Sequence, residues 1–214
     1  IVNKAQITHA LCDKRLEAEL ELALPDCPTL KRIRYWYDDD TDELIKNCSE
    51  KFANTDTLAE DVALIAFTSG TTGKPKGTVH FHRDVIAMCD CFPRSCLKPS
   101  KDDVFIGSPP LAFTFGLGGL LCFPLRFGAS TALVEKFTPD SMLEAIRNFR
   151  ATILFTAPTM YRALAGIWKN YDLPSMKKCV SAGEALPDAT RKLFREASGI
   201  EFFNDTATTE MIHI

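Results

Sequence analysis

No stretch of this 214-residue chain approaches the roughly 20 consecutive apolar residues that a membrane-spanning helix needs. The first residues also lack the charged-then-apolar pattern of a secretion signal, so the expectation is a cytoplasmic protein without a membrane partner. A basic face is missing as well. The formal net charge is −3 and Lys and Arg are spread along the chain, which argues against nucleic acid as a partner. No internal repeat, low-complexity tract or obvious linker interrupts the sequence, and the coarse reading is one compact α/β unit. No Cys-x-x-Cys pair occurs, and without a secretion signal the eight cysteines read as reduced, partly buried thiols. A zinc set drawn from His80, His82, Cys89, Cys91 and Cys96 is the sharper alternative. Against it, Cys89 and Cys91 are two apart and would point to different faces of a helix following His82.

What the chain does contain is ordinary for a soluble globular protein. Hydrophobic residues make up 46% and charged residues 25%, so a packed core is expected and neither disorder nor a fibrous class is indicated. The length allows one domain or two small ones. Thr8 followed by Leu11, Leu16, Leu20 and Leu22 predicts a capped amphipathic helix ending before Pro25. The stretch from Tyr37 to Glu60, with Asp38, Asp39, Asp40, Asp42 and Glu43, reads as a solvated irregular segment. From Val62 to Phe67 an unbroken apolar run predicts a strand buried on both faces. Similar runs recur at Val104 to Ile106, Thr131 to Val134, Thr152 to Phe155 and Lys178 to Ser181. Helix-like stretches separate the later ones. In one, Thr138 caps, Pro139 takes the first helical position, and Met142, Leu143, Ile146 and Phe149 share a face. The alternation predicts an α/β fold with a mainly parallel sheet and flanking helices.

The most informative ten residues follow the first of these strands: Thr68-Ser69-Gly70-Thr71-Thr72-Gly73-Lys74-Pro75-Lys76-Gly77. Glycines let backbone N–H groups approach an anion closely, four hydroxyls add donors, and two lysines add positive charge. That is chemistry suited to a polyphosphate. It is neither the usual triphosphatase loop, because Gly73-Lys74 is followed by Pro75, nor the dinucleotide fingerprint. An exposed Gly/Thr/Ser hairpin loop is the plainer alternative.

Here the sequence resembles the acyl-adenylate-forming enzymes, which include acyl-CoA synthetases, peptide-synthetase adenylation domains and luciferases. By that resemblance Thr68, Ser69, Gly70, Thr71, Thr72, Gly73 and Lys76 embrace the β- and γ-phosphates of ATP. A second matching segment is Ser181-Ala182-Gly183-Glu184-Ala185-Leu186-Pro187, between a strand and a helix starting near Pro187. Its backbone is implied to lie against the adenine, although a plain strand-to-helix connection would explain it equally. The third is Asn204-Asp205-Thr206-Ala207-Thr208-Thr209-Glu210. Here the resemblance implies that Asn204 reads the adenine edge, Asp205 and Thr206 adjoin the nucleotide, Thr209 contacts the α-phosphate and Glu210 holds Mg²⁺. Two positions depart from the family pattern: Thr206 replaces the residue that packs on adenine, and Ala207 replaces a close-approach glycine.

Two more segments, His80 to Asp84 and Pro109 to Gly119, look most like aryl-CoA ligases, and Asp90 to Leu97 with Met211 to Ile214 resemble benzoate-CoA and 2-aminobenzoate-CoA ligases in particular. They imply an acid pocket lined by Phe113, Phe115 and Gly116, with His213 near the substrate carboxylate. Core packing is the alternative for the three pocket residues, and Phe113 stands where many relatives carry histidine. The implied activity is ATP-dependent ligation of a carboxylic acid, an aryl acid by these segments, to CoA through an acyl-adenylate. ATP, Mg²⁺ and CoA are the implied cofactors and co-substrates, Lys76, Thr209 and Glu210 the implied catalytic groups, and a homodimer stays open. The family's later ribose-binding Asp and its small C-terminal domain are not in these residues, so the expectation is an inactive internal piece of the large N-terminal domain. A non-catalytic nucleotide-binding module and an adenylation domain loading a carrier protein are the rival readings.

Overall fold

A computed structural model describes residues 1–68, 75–135 and 138–204, with Asn204 described by its backbone alone. The chain divides into two compact units, 1–58 with 69–77 and 59–68 with 78–214.

The first unit contains α1 (Val2–Ala5), β1 (His9–Asp13), α2 (Glu17–Ala23), β2 (Arg32–Trp36) and α3 (Asp39–Lys46). Strand β1 pairs in parallel with β2, His9 opposite Arg32. The helix predicted from Thr8 is thus confined to Glu17–Ala23. The Thr8 carbonyl accepts from the N–H groups of Lys31 and Arg32, at 2.8 and 3.2 Å, which commits the following residues to the sheet. Asp13, not Thr8, does the capping: its carboxylate accepts from the Arg15 N–H at 2.9 Å at the start of a 3₁₀ turn. The acidic stretch after Tyr37 is also more ordered than predicted. Asp39, Asp40 and Asp42 occupy the first turn of α3 and Lys46 the last, the arrangement a helix dipole favours.

In the second unit β3 (Val62–Thr68) pairs with β4 (Lys76–Phe81), whose first two residues fall in the first unit. This is a two-stranded sheet, and Val62 is 54% exposed, so among the described residues the run is not buried on both faces as its sequence predicts. Helix α4 (His82–Asp90) follows at once, and the Asp84 carboxylate accepts from the Phe81 N–H at 2.8 Å.

Next come β5 (Val104–Gly107), α5 (Thr114–Leu117), α6 (Phe123–Phe127), β6 (Ser130–Ala132), α7 (Pro139–Phe149), β7 (Ile153–Thr156), α8 (Pro158–Ile167), β8 (Lys178–Ser181), α9 (Asp188–Ser198) and β9 (Phe202–Asn204). The strands form one five-stranded sheet in the order β6-β5-β7-β8-β9, every pairing parallel. The α/β class, the parallel sheet and four of its strands are as the sequence predicts.

Strand alternation explains why these strands read as unbroken apolar runs. Ile106, Leu154, Cys179 and Phe202 stand in one row across the sheet and pack on one core with Met142, Leu143, Ile146, Leu164 and Phe194 from α7, α8 and α9. Phe105, Ile153, Phe155 and Val180 face the other way, against Met88, Cys89, Leu97, Leu120 and Phe123. A strand covered on both faces has no polar side to show. Each fully buried large side chain contributes about 1.5–3 kcal/mol. In α7 the expected cap is present, Thr138 Oγ1 accepting from the Ser141 N–H at 3.2 Å, but Phe149 is 56% exposed and is not part of the core face.

Two features fix the sheet's ends. At the N-terminal edge buried Asp103 accepts from Thr152 Oγ1 at 2.8 Å and from the Ser100 N–H at 2.8 Å. Burial alone would raise its pKa, yet these bonds and the charge of Lys178 outweigh burial and hold it below the usual aspartate value. Lys178 Nζ donates to the Leu97 and Lys98 carbonyls at 2.7 and 3.1 Å, tying the turn after α4 to β8. Just below the C-terminal edge, Tyr161 of α8 donates to the Leu154 and Val180 carbonyls, 2.9 Å each, bridging β7 and β8. Burial pushes the Tyr161 hydroxyl and the Cys179 thiol well up, so both stay neutral.

Candidate functional site

In a parallel α/β sheet a ligand sits outside the carboxyl ends of the strands, at the point where the strand order reverses. Here the chain leaves β5 towards β6 on one side and returns as β7 on the other, so the reversal lies between β5 and β7. Ser108 follows β5 and Thr156 ends β7; their hydroxyls are hydrogen-bonded to each other, and Ser108 N–H donates to the Phe155 carbonyl at 3.1 Å. The register continues the row: Thr156 is opposite Ser181, and Ser181 is opposite Asn204. Four polar residues from four neighbouring strands therefore mark this edge. Neither Ser108 nor Thr156 was singled out in the sequence. The signal available was that each is the first polar residue after a buried apolar run.

After β8 the chain turns away through Ala182, which is buried, and Gly183, at φ +91°. Among the described residues a side chain at Gly183 would meet nothing within 4 Å, so the glycine serves the backbone conformation of the turn. Glu184 is exposed. Pro187 caps α9, with Asp188 in its first turn, close to the helix start the sequence predicts.

Of the predicted acid-pocket residues, Gly116 and Phe115 are packed and Phe113, 66% exposed, is not. A Cβ at Gly116 would fall 2.1 Å from the Pro110 carbonyl oxygen, so only glycine permits the close approach of α5 to the Pro109-Pro110 turn. Phe115 lies 5.7 Å from Phe155, ring centre to ring centre. Phe155 is hemmed in by glycines: a Cβ at Gly107 would sit 2.3 Å from its carbonyl oxygen, and one at Gly119 2.5 Å from its ring. The aromatic–glycine segment thus builds a tight aromatic layer behind the β5 and β7 termini. A cavity of about 280 Å³ opens at the ends of β5 and β6, lined by Gly107, Ser108, Pro109, Leu111, Leu133 and Glu135 among others. A larger one, about 860 Å³, lies at the N-terminal edge among Asp102, Arg147, Arg150, Thr152 and Lys177. Size favours the second, but strand polarity favours the first, and strand polarity is the better guide in a parallel sheet.

Thr68 ends β3, partly buried in the second unit, whereas exposed Lys76 and its neighbour Gly77 fall in the first. Ser69, Gly70, Thr71, Thr72, Gly73 and Lys74 lie outside the described residues, as do Asp205, Thr206, Ala207, Thr209, Glu210 and His213. Among the described residues no group of three or more His, Cys, Asp or Glu could hold a metal ion. Cys89 is buried, its thiol pushed up to about 12 chiefly by burial, whereas Cys91 is exposed. No helix among the described residues is long and apolar enough to cross a membrane.

Comparison with known proteins gives this geometry a context. The family model described as AMP-binding enzyme matches residues 1–214. The benzoate–CoA ligase of Thauera aromatica is 35% identical over 177 residues, 80% of this chain and 33% of that protein. The anthranilate–CoA ligase of Pseudomonas aeruginosa is 32% identical over 151 residues, 70% of this chain and 29% of that protein. Among solved structures, the anthranilate CoA ligase AuaEII in complex with anthranoyl-AMP superposes with a TM-score of 0.90 at 28% identity, over 100% of this chain and 43% of that one. The chain thus spans about a third of the length of the curated relatives it matches.

Proposed function

The chain belongs to the AMP-binding enzyme family, and from that premise we propose that the protein carrying it is an AMP-forming acid–thiol ligase acting on an aryl carboxylic acid. The observation that carries the reading is the 35% identity to a benzoate–CoA ligase across 80% of the chain. The geometry agrees with it: a polar edge at the switch point of a parallel sheet, backed by an aromatic layer around Phe155.

In the proposed reaction a carboxylate oxygen attacks the α-phosphorus of ATP and the bond to pyrophosphate breaks. The CoA thiolate then attacks the acyl carbon of the mixed anhydride and AMP departs. Two anions must meet in the first step, so the burden is neutralisation and alignment. We assign the polyphosphate to the loop Thr68 to Gly73 with Lys76, the adenine to Ser181, Ala182, Gly183, Glu184 and Asn204 with Asp205 and Thr206 beside it, and the α-phosphate to Thr209. Mg²⁺, if it follows the family, would rest on Glu210, since a carboxylate suits a hard cation. Phe115 and Gly116 are assigned to the acid side with Phe113 and His213.

The test is carboxylate-dependent exchange of pyrophosphate into ATP by the complete protein, with benzoate, 2-aminobenzoate, acetate and a medium-chain fatty acid. Exchange is expected with the aromatic acids and a fall of about 10²-fold in Lys76→Ala, the scale for losing one charge-stabilising donor. No exchange with any acid, despite ATP binding, would leave a nucleotide-binding module instead. The isolated 214-residue chain is expected to form no acyl-CoA.

A further inference from the structure

The cavity of about 860 Å³ at the N-terminal edge of the sheet takes no part in the ligase reading, and its size is that of a small-molecule site. Its wall comes from the residues at the start of β5, the turn from α7 into β7 and the loop leading into β8. Thr152 closes it on one side, held by the Asp103 carboxylate and the Val104 N–H. Two wall residues are ill-suited to a merely structural role. Helices α6, α7 and α9 each end on a left-handed residue, which is Gly128 at φ +66° and Gly199 at φ +75° but Arg150, at φ +51°, after α7. Glycine alone takes that conformation without steric cost. Phe149 stands in the helical spacing of buried Met142 and Ile146, yet it is 56% exposed and lines the cavity. Charge is the third feature. Arg147, Arg150 and Lys177 all line the cavity, and none has a carboxylate within ion-pair distance among the described residues, although Asp102 and Asp172 line it too. Arg147 lies instead over the Tyr171 ring, 6.0 Å from its centre. Three cations gathered on one wall repel one another, and an anion among them would relieve that repulsion.

We propose that this cavity is a second ligand site, taking a small organic molecule that carries one anionic group on a planar apolar body. Arg147, Arg150 and Lys177 receive the anionic group, since guanidinium and ammonium donors make charge-assisted hydrogen bonds to its oxygens. Phe149 and Pro174 offer the apolar body a surface to lie on. Asp102 and Asp172 limit the charge: the five side chains together are positive by a single charge, which suits one anionic group and opposes a polyphosphate. The site lies at the opposite ends of the strands from the switch point, and the inference does not rest on the ligase reading.

The experiment titrates the complete protein with 2-naphthalenesulfonate, neutral 2-naphthol and tripolyphosphate by calorimetry, and repeats the titrations in Arg150→Gly and Lys177→Gln. Naphthalenesulfonate should bind the wild type about tenfold more tightly than naphthol and raise its melting temperature. Each variant should bind naphthalenesulfonate about tenfold more weakly, the scale of one charge-assisted hydrogen bond. Without ligand, Arg150→Gly should melt no lower than the wild type, because glycine suits the left-handed position; this separates lost binding from lost folding. Unchanged naphthalenesulfonate affinity in both variants overturns the proposal, and so does a wild type that does not bind it. A lower ligand-free melting temperature in Arg150→Gly also overturns it, by assigning the arginine to the fold. Tripolyphosphate binding that is tighter than that of naphthalenesulfonate and is lost in both variants overturns the single-anion class.

Discussion

The two edges of the five-stranded sheet are made by the same strands and carry similar residues, yet they are finished differently. At the N-terminal edge Asp103 has Thr152 and Ser100 as donors, and Lys178 has two carbonyls as acceptors. At the C-terminal edge Ser108 and Thr156 satisfy each other, and the Ser181 hydroxyl has no hydrogen-bond partner among the described residues. The first arrangement holds the fold: a buried carboxylate is retained because its bonds outweigh its desolvation. The larger cavity lies at the fully satisfied edge.

The strongest way to break this contrast is to remove what both edges depend on. Phe155 lies between Thr152 and Thr156 on β7 and contacts Phe105, Phe115 and Phe123, so Phe155→Ala should cost about 3–5 kcal/mol by chemical denaturation. Next comes Asp103→Asn, which leaves the donors at Thr152 and Ser100 poorly matched and should cost about 2–3 kcal/mol at neutral pH. Its sign with pH is definite. The folded pKa is lowered, so the stabilisation is full above the unfolded value of about 4 and disappears as the pH falls through the lowered one. Melting curves of Asp103→Asn should therefore converge on the wild type in acid, and a constant gap down to low pH would refute the assignment. Thr156→Val should cost less, about 1 kcal/mol, since it strands only the partly exposed Ser108 hydroxyl. Ser181→Ala should cost nothing, and that ordering is the comparison in its sharpest form.

The readability of the chain also differed by region. The runs at Val104, Thr152 and Lys178 are strands because two helical layers bury both faces, and an unbroken apolar run records that directly. The cap at Thr138 and the proline after it are local signals, and they held. The leucines from Leu11 to Leu22 misled, because Leu11, Leu16 and Leu22 are exposed and helical spacing implies a helix only where one face is buried. Likewise the aspartates after Tyr37 read as a solvated loop when their negative charge stabilises the start of α3. Ser181 and Gly183 were visible as a motif, but Ser108 and Thr156 were not, since being last on a strand has meaning only once the strands are ordered.

The sequence by itself determined the class of fold, the parallel strands and the family, because periodicity, caps and a ten-residue loop are properties of neighbours along the chain. Which strand ends adjoin, and which of three hydroxyls goes unpaired, was decided by tertiary structure alone. Hydrogen bonds between residues 48 apart, such as Ser108 and Thr156, exist only after the crossover has brought β7 beside β5.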